Sequence, residues 1–187
     1  MKKFISKRLE GFSLIEISIV LLIIGVIAGG MLKGRDLVES AQIRSVVSDF
    51  QNVQTVFESY INSYGTIPGD DSSAEGKFKD VSNGDSDGTL SPEDAKKVFS
   101  HLYAAGLIDS KDFKKPKTGG KYDIVSENGD IKLRLSNNEK AFLTRKQVLL
   151  LIAKLKEVFG ENEKIVETDP EISTDSSQKY IVKMKIR

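Results

Sequence analysis

The chain has no cysteine, and that absence removes several possibilities together. No disulfide can staple it, so an exported domain of this size must hold together by its core or by a metal. Thiolate zinc sites and cysteine nucleophiles are excluded. Histidine is nearly as scarce: His101 is the sole one, with no second imidazole for a metal pair and no nucleophile nearby. No Gly-x-Ser-x-Gly elbow and no Gly-rich phosphate loop followed by Lys occurs, so no catalytic arrangement emerges and the chain reads as a non-enzyme. Excess charge of one sign is also missing. The 187 residues hold 28 Lys plus Arg and 27 Asp plus Glu; removing residues 1–11, with four bases and one acid, leaves 24 against 26, near −2. A nucleic-acid-binding surface normally shows a basic excess, and no such motif is evident.

What the chain does have is one long apolar run. From Phe12 to Leu32 the only ionisable side chain is Glu16, and only Ser13 and Ser18 are otherwise polar. Twenty-one helical residues rise about 31 Å, close to the hydrocarbon thickness of a bilayer. A charge at that depth costs roughly 2.5–3.5 kcal/mol on insertion scales, so Glu16 requires a partner. Lys2, Lys3, Lys7 and Arg8 precede the run while Lys33 and Arg35 follow it, which favours a cytoplasmic leader. Three readings compete. An ordinary secretory signal would end near Val26-Ile27-Ala28, but the run is too long and a Glu inside it is unusual. A plain signal anchor leaves Glu16 unexplained. A leader cut before the run, between Gly11 and Phe12, would free an α-amino group four residues from Glu16.

The paired lysines of the leader, then Gly11-Phe12-Ser13-Leu14-Ile15-Glu16 and the apolar run, resemble the processing motif of type IV pilins and pseudopilins. The resemblance covers about 20 residues, in which leader, Gly, Phe, Glu and span fall in order. It implies that a prepilin peptidase cuts after Gly11 and methylates Phe12. It further implies that Glu16 pairs with the N-terminal amine of a neighbouring subunit during filament assembly, each charge offsetting the other in lipid. The partners it implies are that peptidase, copies of the chain or other pilin-like subunits, and an inner-membrane assembly platform.

After Arg35 the pattern turns amphipathic without a break. Ile43, Val46, Phe50, Val53, Phe57, Tyr60 and Tyr64 fall three or four residues apart, one helix stripe widened by Val47 and Ile61. The first proline is Pro68, and Gly65 offers a stop. This predicts one helix of about 50 residues, softened at most near Gly29, Gly30 and Gly34, whose outer half packs on the protein's own domain.

Residues 65–94 are rich in Gly, Asp and Ser and are expected to form a solvated acidic loop, Asp70 and Asp71 included. Within it, Asn83 to Asp94 aligns with a twelve-residue calcium loop: oxygen ligands Asn83, Asp85 and Asp87, Gly88 at the sharp turn, and Asp94 at the last position. Asn at the first position and the short Asp94 at the last imply millimolar-class affinity. The competing reading is a turn followed by a capped helix, with Ser91 as N-cap, Pro92 next and Asp94 closing the cap. Both can hold together, so calcium is a possible cofactor.

Pro92 to Ala105 reads as a helix closed by Gly106, with His101 half-exposed on it. Asn128-Gly129 between Lys121–Ser126 and Asp130–Ser136 marks a hairpin, in which Ile131, Leu133 and Leu135 face a core and Lys132 and Arg134 face water. Thr144 with Gln147 forms a capping box for a helix ending at Phe159. Residues 161–178 read as a polar surface excursion, and Lys179 to Arg187 as an edge strand guarded by lysines.

The expected organisation is a leader at 1–11, a membrane and assembly helix at 12–34, its amphipathic continuation at 35–64 and an α+β head at 65–187. The fold class is α+β: a long N-terminal helix packed on a small antiparallel sheet with accessory helices. The expected role is a pilus-like or secretion-pseudopilus subunit, single-pass in a bacterial inner membrane with its head in the periplasm, or exposed on a filament after assembly. The rival is a membrane-anchored or secreted calcium-binding protein with an ordinary export signal.

Overall fold

The computed structural model describes residues 11–137, 141–160, 166–170 and 178–186. The leader ahead of Gly11 lies outside the described residues. The chain divides into two compact units, Met1–Val38 and Glu39–Arg187.

Helix α1 (Leu14–Tyr64) takes 51 residues without interruption; Gly29, Gly30 and Gly34 stay helical. In the first unit its large apolar side chains from Leu14 to Met31, and Leu37 and Val38, are exposed, and the segment is long and apolar enough to cross a membrane. The helix begins with its own cap. Ile15 N–H donates to Ser13 Oγ at 3.1 Å and Ser13 N–H donates to Glu16 Oε2 at 2.7 Å, which satisfies two of the amides that a helix start leaves open. The helix ends where Gly65 adopts a left-handed φ of 74° and its N–H closes on Ile61 O at 2.8 Å.

In the second unit the stripe read from the sequence is the core. Ile43, Val46, Phe50, Val53, Phe57 and Tyr60 are at most 1% exposed. Burial of each such side chain contributes about 1.5–3 kcal/mol. Two accessory helices follow, α2 (Ala74–Lys77) and α3 (Pro92–Ala104), then strands β1 (Lys121–Glu127), β2 (Asp130–Ser136) and β3 (Leu143–Thr144). Helix α4 (Arg145–Phe159) and strands β4 (Val166–Asp169) and β5 (Lys179–Lys185) complete the order. All strand pairs are antiparallel, ordered β1-β2-β5-β3, with β4 also on β5. Asn128 and Gly129 take φ of 54° and 82°, the left-handed pair that a two-residue hairpin needs. Thr144 and Gln147 form the reciprocal cap of α4.

The sheet's inner face carries Tyr122, Ile124, Ile131, Leu133, Leu135, Tyr180, Val182 and Met184 into one cluster with the α1 stripe. Phe50 of α1 meets Phe159 of α4 edge-on at 5.6 Å. A long N-terminal helix on a small antiparallel sheet is the arrangement the resemblance implies.

Three expectations need correction. Strand β5 is not an edge: β2 flanks it on one side, β3 and β4 on the other. Its lysines are matched across the ladder, Lys183 to Glu127 at 2.7 Å and Lys185 to Asp130 at 2.8 Å, rather than guarding a free border. Lys132 is buried, not wet. Glu167 at 2.6 Å and Glu127 at 3.5 Å surround it, and although burial works against its charge, the two carboxylates outweigh that and raise its pKa. The excursion at 161–178 includes strand β4, which supplies Glu167; residues 161–165 and 171–177 lie outside the described residues.

Candidate functional site

Two places carry the residues singled out by sequence. At the start of α1, Gly11 and Phe12 precede the first helical turn and are exposed. A Cβ built on Gly11 would meet nothing within 4 Å, so the described fold itself places no demand on glycine there. Glu16 is exposed in the first turn, held by Ser13 N–H. Helix N-termini favour negative charge nearby, so the carboxylate has a local reason for this position besides any partner from another molecule.

The second place is the segment between α1 and α3, expected to be solvated. It is folded on buried carboxylates instead. Asp71 is fully buried. It accepts from Tyr60 Oη at 3.0 Å, from Ser73 N–H and Oγ at 2.9 and 2.8 Å, and from Lys77 Nζ at 2.7 Å. Burial opposes the Asp71 charge, yet Lys77, Ser73 and Tyr60 together hold its carboxyl well below the ordinary range. Asp70 is 3% exposed and draws the second half of the segment onto the first. Its Oδ1 accepts from Asp87 N–H at 3.2 Å and its Oδ2 from Gly88 N–H at 3.1 Å, while its carbonyl accepts from Ser86 N–H at 2.9 Å. A Cβ on Gly84 would lie 2.3 Å from the Asp70 backbone, so only glycine permits this approach.

His101 completes the arrangement and corrects its expected exposure: it is 0% exposed. Nδ1 accepts from Gly69 N–H at 3.0 Å, so Nε2 is the protonated nitrogen and donates to Ser82 O at 2.8 Å. One side chain of α3 thereby ties both ends of the 69–82 stretch. Burial depresses its pKa. The sequence signal that could have located it is weak: a lone histidine three residues from Val98 on an apolar helix face.

Of the four residues aligned with a calcium loop, the fold brings two together. Asp85 and Asp87 converge with Asp70, their ligand oxygens all within 4.8 Å of one another. Burial raises the Asp70 pKa, and the neighbouring Asp85 carboxyl adds to that, against the two amides. Close carboxylates of this kind form the oxygen set that a hard divalent cation takes. Asn83 and Asp94 are engaged elsewhere. Asn83 Oδ1 accepts from Glu75 N–H at 2.9 Å. Asp94 N–H donates to Ser91 Oγ at 3.2 Å, and its carboxylate accepts from Ser91 Oγ at 2.6 Å and Lys97 Nζ at 2.9 Å. The capped-helix reading of Ser91 to Asp94 therefore describes the structure. Asp70, thirteen residues upstream of Asn83, has no place in the twelve-residue alignment.

No model of a known protein family and no curated protein matches the chain. Among solved structures it is similar to the major type IV pilin PilA1 from Clostridium difficile, at 20% identity and a TM-score of 0.45, over 79% of this chain and 96% of that one.

Proposed function

We propose that the chain is a structural subunit of a type IV pilus-like or secretion-pseudopilus filament, cut after Gly11, methylated on Phe12 and assembled through its apolar helix. The observation that carries this is the first turn of α1. A lone carboxylate, Glu16, opens the helix, in a membrane-length segment that is otherwise apolar and exposed, five residues after a glycine that the described fold does not need. Nothing in the described packing engages Gly11, which leaves it accessible to a peptidase that reads it. Glu16 meets the amine of Phe12 on the next copy, and the exposed apolar segments bury one another as copies accumulate. The role is mechanical rather than catalytic. The subunit waits in the bacterial inner membrane with its head in the periplasm, where the prepilin peptidase and an assembly platform are its partners.

The test is the intact mass of the membrane-extracted protein. Loss of residues 1–11 with gain of one methyl supports the proposal. A start near Gly29, or retention of the initiating methionine, overturns it in favour of an ordinary export signal or anchor. Calcium binding has one specific observation in its favour, the convergence of Asp70, Asp85 and Asp87, and is proposed as a stabilising accessory to the loop under either reading.

A further inference from the structure

The head is electrically lopsided, and its two charged regions lie against opposite faces of one helix. Residues 70–94 hold eight acids and two lysines, and Asp85 and Asp87 stand exposed at the turn. This segment packs on the α3 face of Asp94, Val98 and His101. There a Cβ on Gly69 would lie 2.4 Å from Asp94 O and 3.0 Å from Val98 Cγ2, and His101 binds Gly69 and Ser82.

The other face of α3, formed by Pro92, Ala95, Lys96 and Phe99, is one wall of an open cleft of about 710 Å³. Strand β1 and the connection carrying Lys111, Lys114 and Lys115 form the rest. Six of its lining side chains are cationic against three carboxylates, Asp112, Asp123 and Glu127. Some of that charge is already used: Lys114 meets Asp49 at 2.5 Å, and Lys121 and Arg134 share Asp123. Lys111 donates to the Asp80 carbonyl at 3.3 Å and lies over the Tyr103 ring at 5.9 Å, with no carboxylate paired to it among the described residues. Among the described residues Lys115 has no partner. At 100° per residue the two α3 faces are centred about 150° apart. A molecule's own acidic turn therefore sits behind the helix that walls its own cleft.

We propose that the α3–β1 cleft receives the acidic turn, residues 83–90, of a second copy of this chain, with Lys111 and Lys115 facing Asp85 and Asp87. The exposed acidic turn and the open basic cleft are complementary in sign. Because the patches are different and lie on opposite faces, the contact is heterologous and propagates head-to-tail, into an open array unless its rotation closes a ring. Exposed ion pairs bind weakly alone. Copies held in one membrane or filament meet at high effective concentration, and a weak contact then orients them. In this respect the inference rests on the filament reading, but it is tested apart from it.

The absence of native cysteine makes cross-linking clean. Full-length Thr89→Cys and Lys117→Cys proteins, distinguished by tags, are reconstituted together in lipid vesicles and joined with a short bismaleimide. The expected mixed dimer exceeds that of a Thr89→Cys and Lys156→Cys control pair by roughly fivefold and declines as salt screens the charges. Adding Lys111→Glu with Lys115→Glu to one partner, or Asp85→Lys with Asp87→Lys to the other, reduces it to the control level. Both reversals together restore it, which a misfolded variant would not do. A yield no higher than the control, insensitivity to either reversal, or failure of the swap overturns the proposal. Since the vesicles need neither cleavage nor assembly, a chain that proved not to be cut after Gly11 would leave this outcome readable.

Discussion

Glu16 Oε2 accepts the Ser13 backbone N–H at 2.7 Å while Ser13 Oγ accepts from Ile15 N–H at 3.1 Å. The carboxylate is therefore both a helix cap and, in the proposed assembly, a counter-ion. Two variants separate these roles. Glu16→Gln keeps a side-chain oxygen for the Ser13 amide but loses the charge. Glu16→Ala loses both, at a cap cost of about 0.5–2 kcal/mol. Both variants insert in the membrane. Removing one member of a charge pair in low dielectric costs about 3–5 kcal/mol, so filament incorporation falls at least tenfold for both. Incorporation of Glu16→Gln at the normal level would show that the cap alone matters.

A buried carboxylate fastens the outer half of α1 to the sheet. Asp49, 2% exposed, accepts from Tyr122 Oη at 2.9 Å and pairs with Lys114 at 2.5 Å. Burial first, then the Asp49 charge and hydrogen bond, push the Tyr122 pKa far above its usual value, so the phenol stays a donor. Tyr122→Phe leaves the carboxylate with Lys114 and lowers unfolding free energy by about 1.5–3 kcal/mol, the range for a hydrogen bond to a charged group. Asp49→Ala strands the phenol in the core and opens a gap as well, so its loss is larger. Urea denaturation of the two variants checks the order; equal stability with the parent would mean the contact contributes nothing.

Much of this architecture was legible locally. The unbroken helix follows from the lack of proline before Pro68, the hairpin from Asn128-Gly129, and the start of α4 from Thr144 and Gln147. The acidic loop was not legible, because its order comes from pairings that cross long stretches of chain. Asp70 meets Asp87 and Gly88, and His101 meets Gly69 and Ser82. Nothing periodic marks such pairings, and composition alone suggests solvation. Strand β5 was misplaced for a related reason: its lysines look like a guarded edge until Glu127 and Asp130 are found beside them.

His101 gives the fold a pH dependence of definite sign. Burial lowers its folded pKa below the ordinary 6.5, while the unfolded residue titrates near that value. Between the two the unfolded chain binds more protons, so this contribution is fully present above about pH 6.5 and is lost as pH falls below it. The slope approaches about 1.4 kcal/mol per pH unit for one proton. Protonation also removes the acceptor for Gly69 N–H. Asp71, with its depressed pKa, acts in a separate window: its stabilisation is present above about pH 4 and fades as pH drops further. Guanidinium titrations between pH 7.5 and 5 should show the decline in the parent and a flat profile in His101→Asn, which starts from a lower stability. A parallel decline in that variant would assign the effect to other groups.

The loop's calcium response distinguishes the spacing of the sequence motif from the geometry of the fold. If Asp70, Asp85 and Asp87 hold the ion, Asp87→Asn abolishes the stabilisation that calcium produces, with little other damage because Asp87 is exposed. Asp94→Ala weakens the α3 cap by about 0.5–2 kcal/mol yet retains the full calcium increment, since that carboxylate belongs to Ser91 and Lys97. At tenfold excess over a millimolar dissociation constant the increment is about 1.4 kcal/mol, or roughly 3–6 °C in a domain of this size. Melting curves in EDTA and in added calcium read all three proteins. Identical curves for the parent would retire the metal, whereas a calcium increment lost in Asp94→Ala as well as in Asp87→Asn would return the ligand set to the linear motif, which contains both residues, and imply that the loop refolds around the ion.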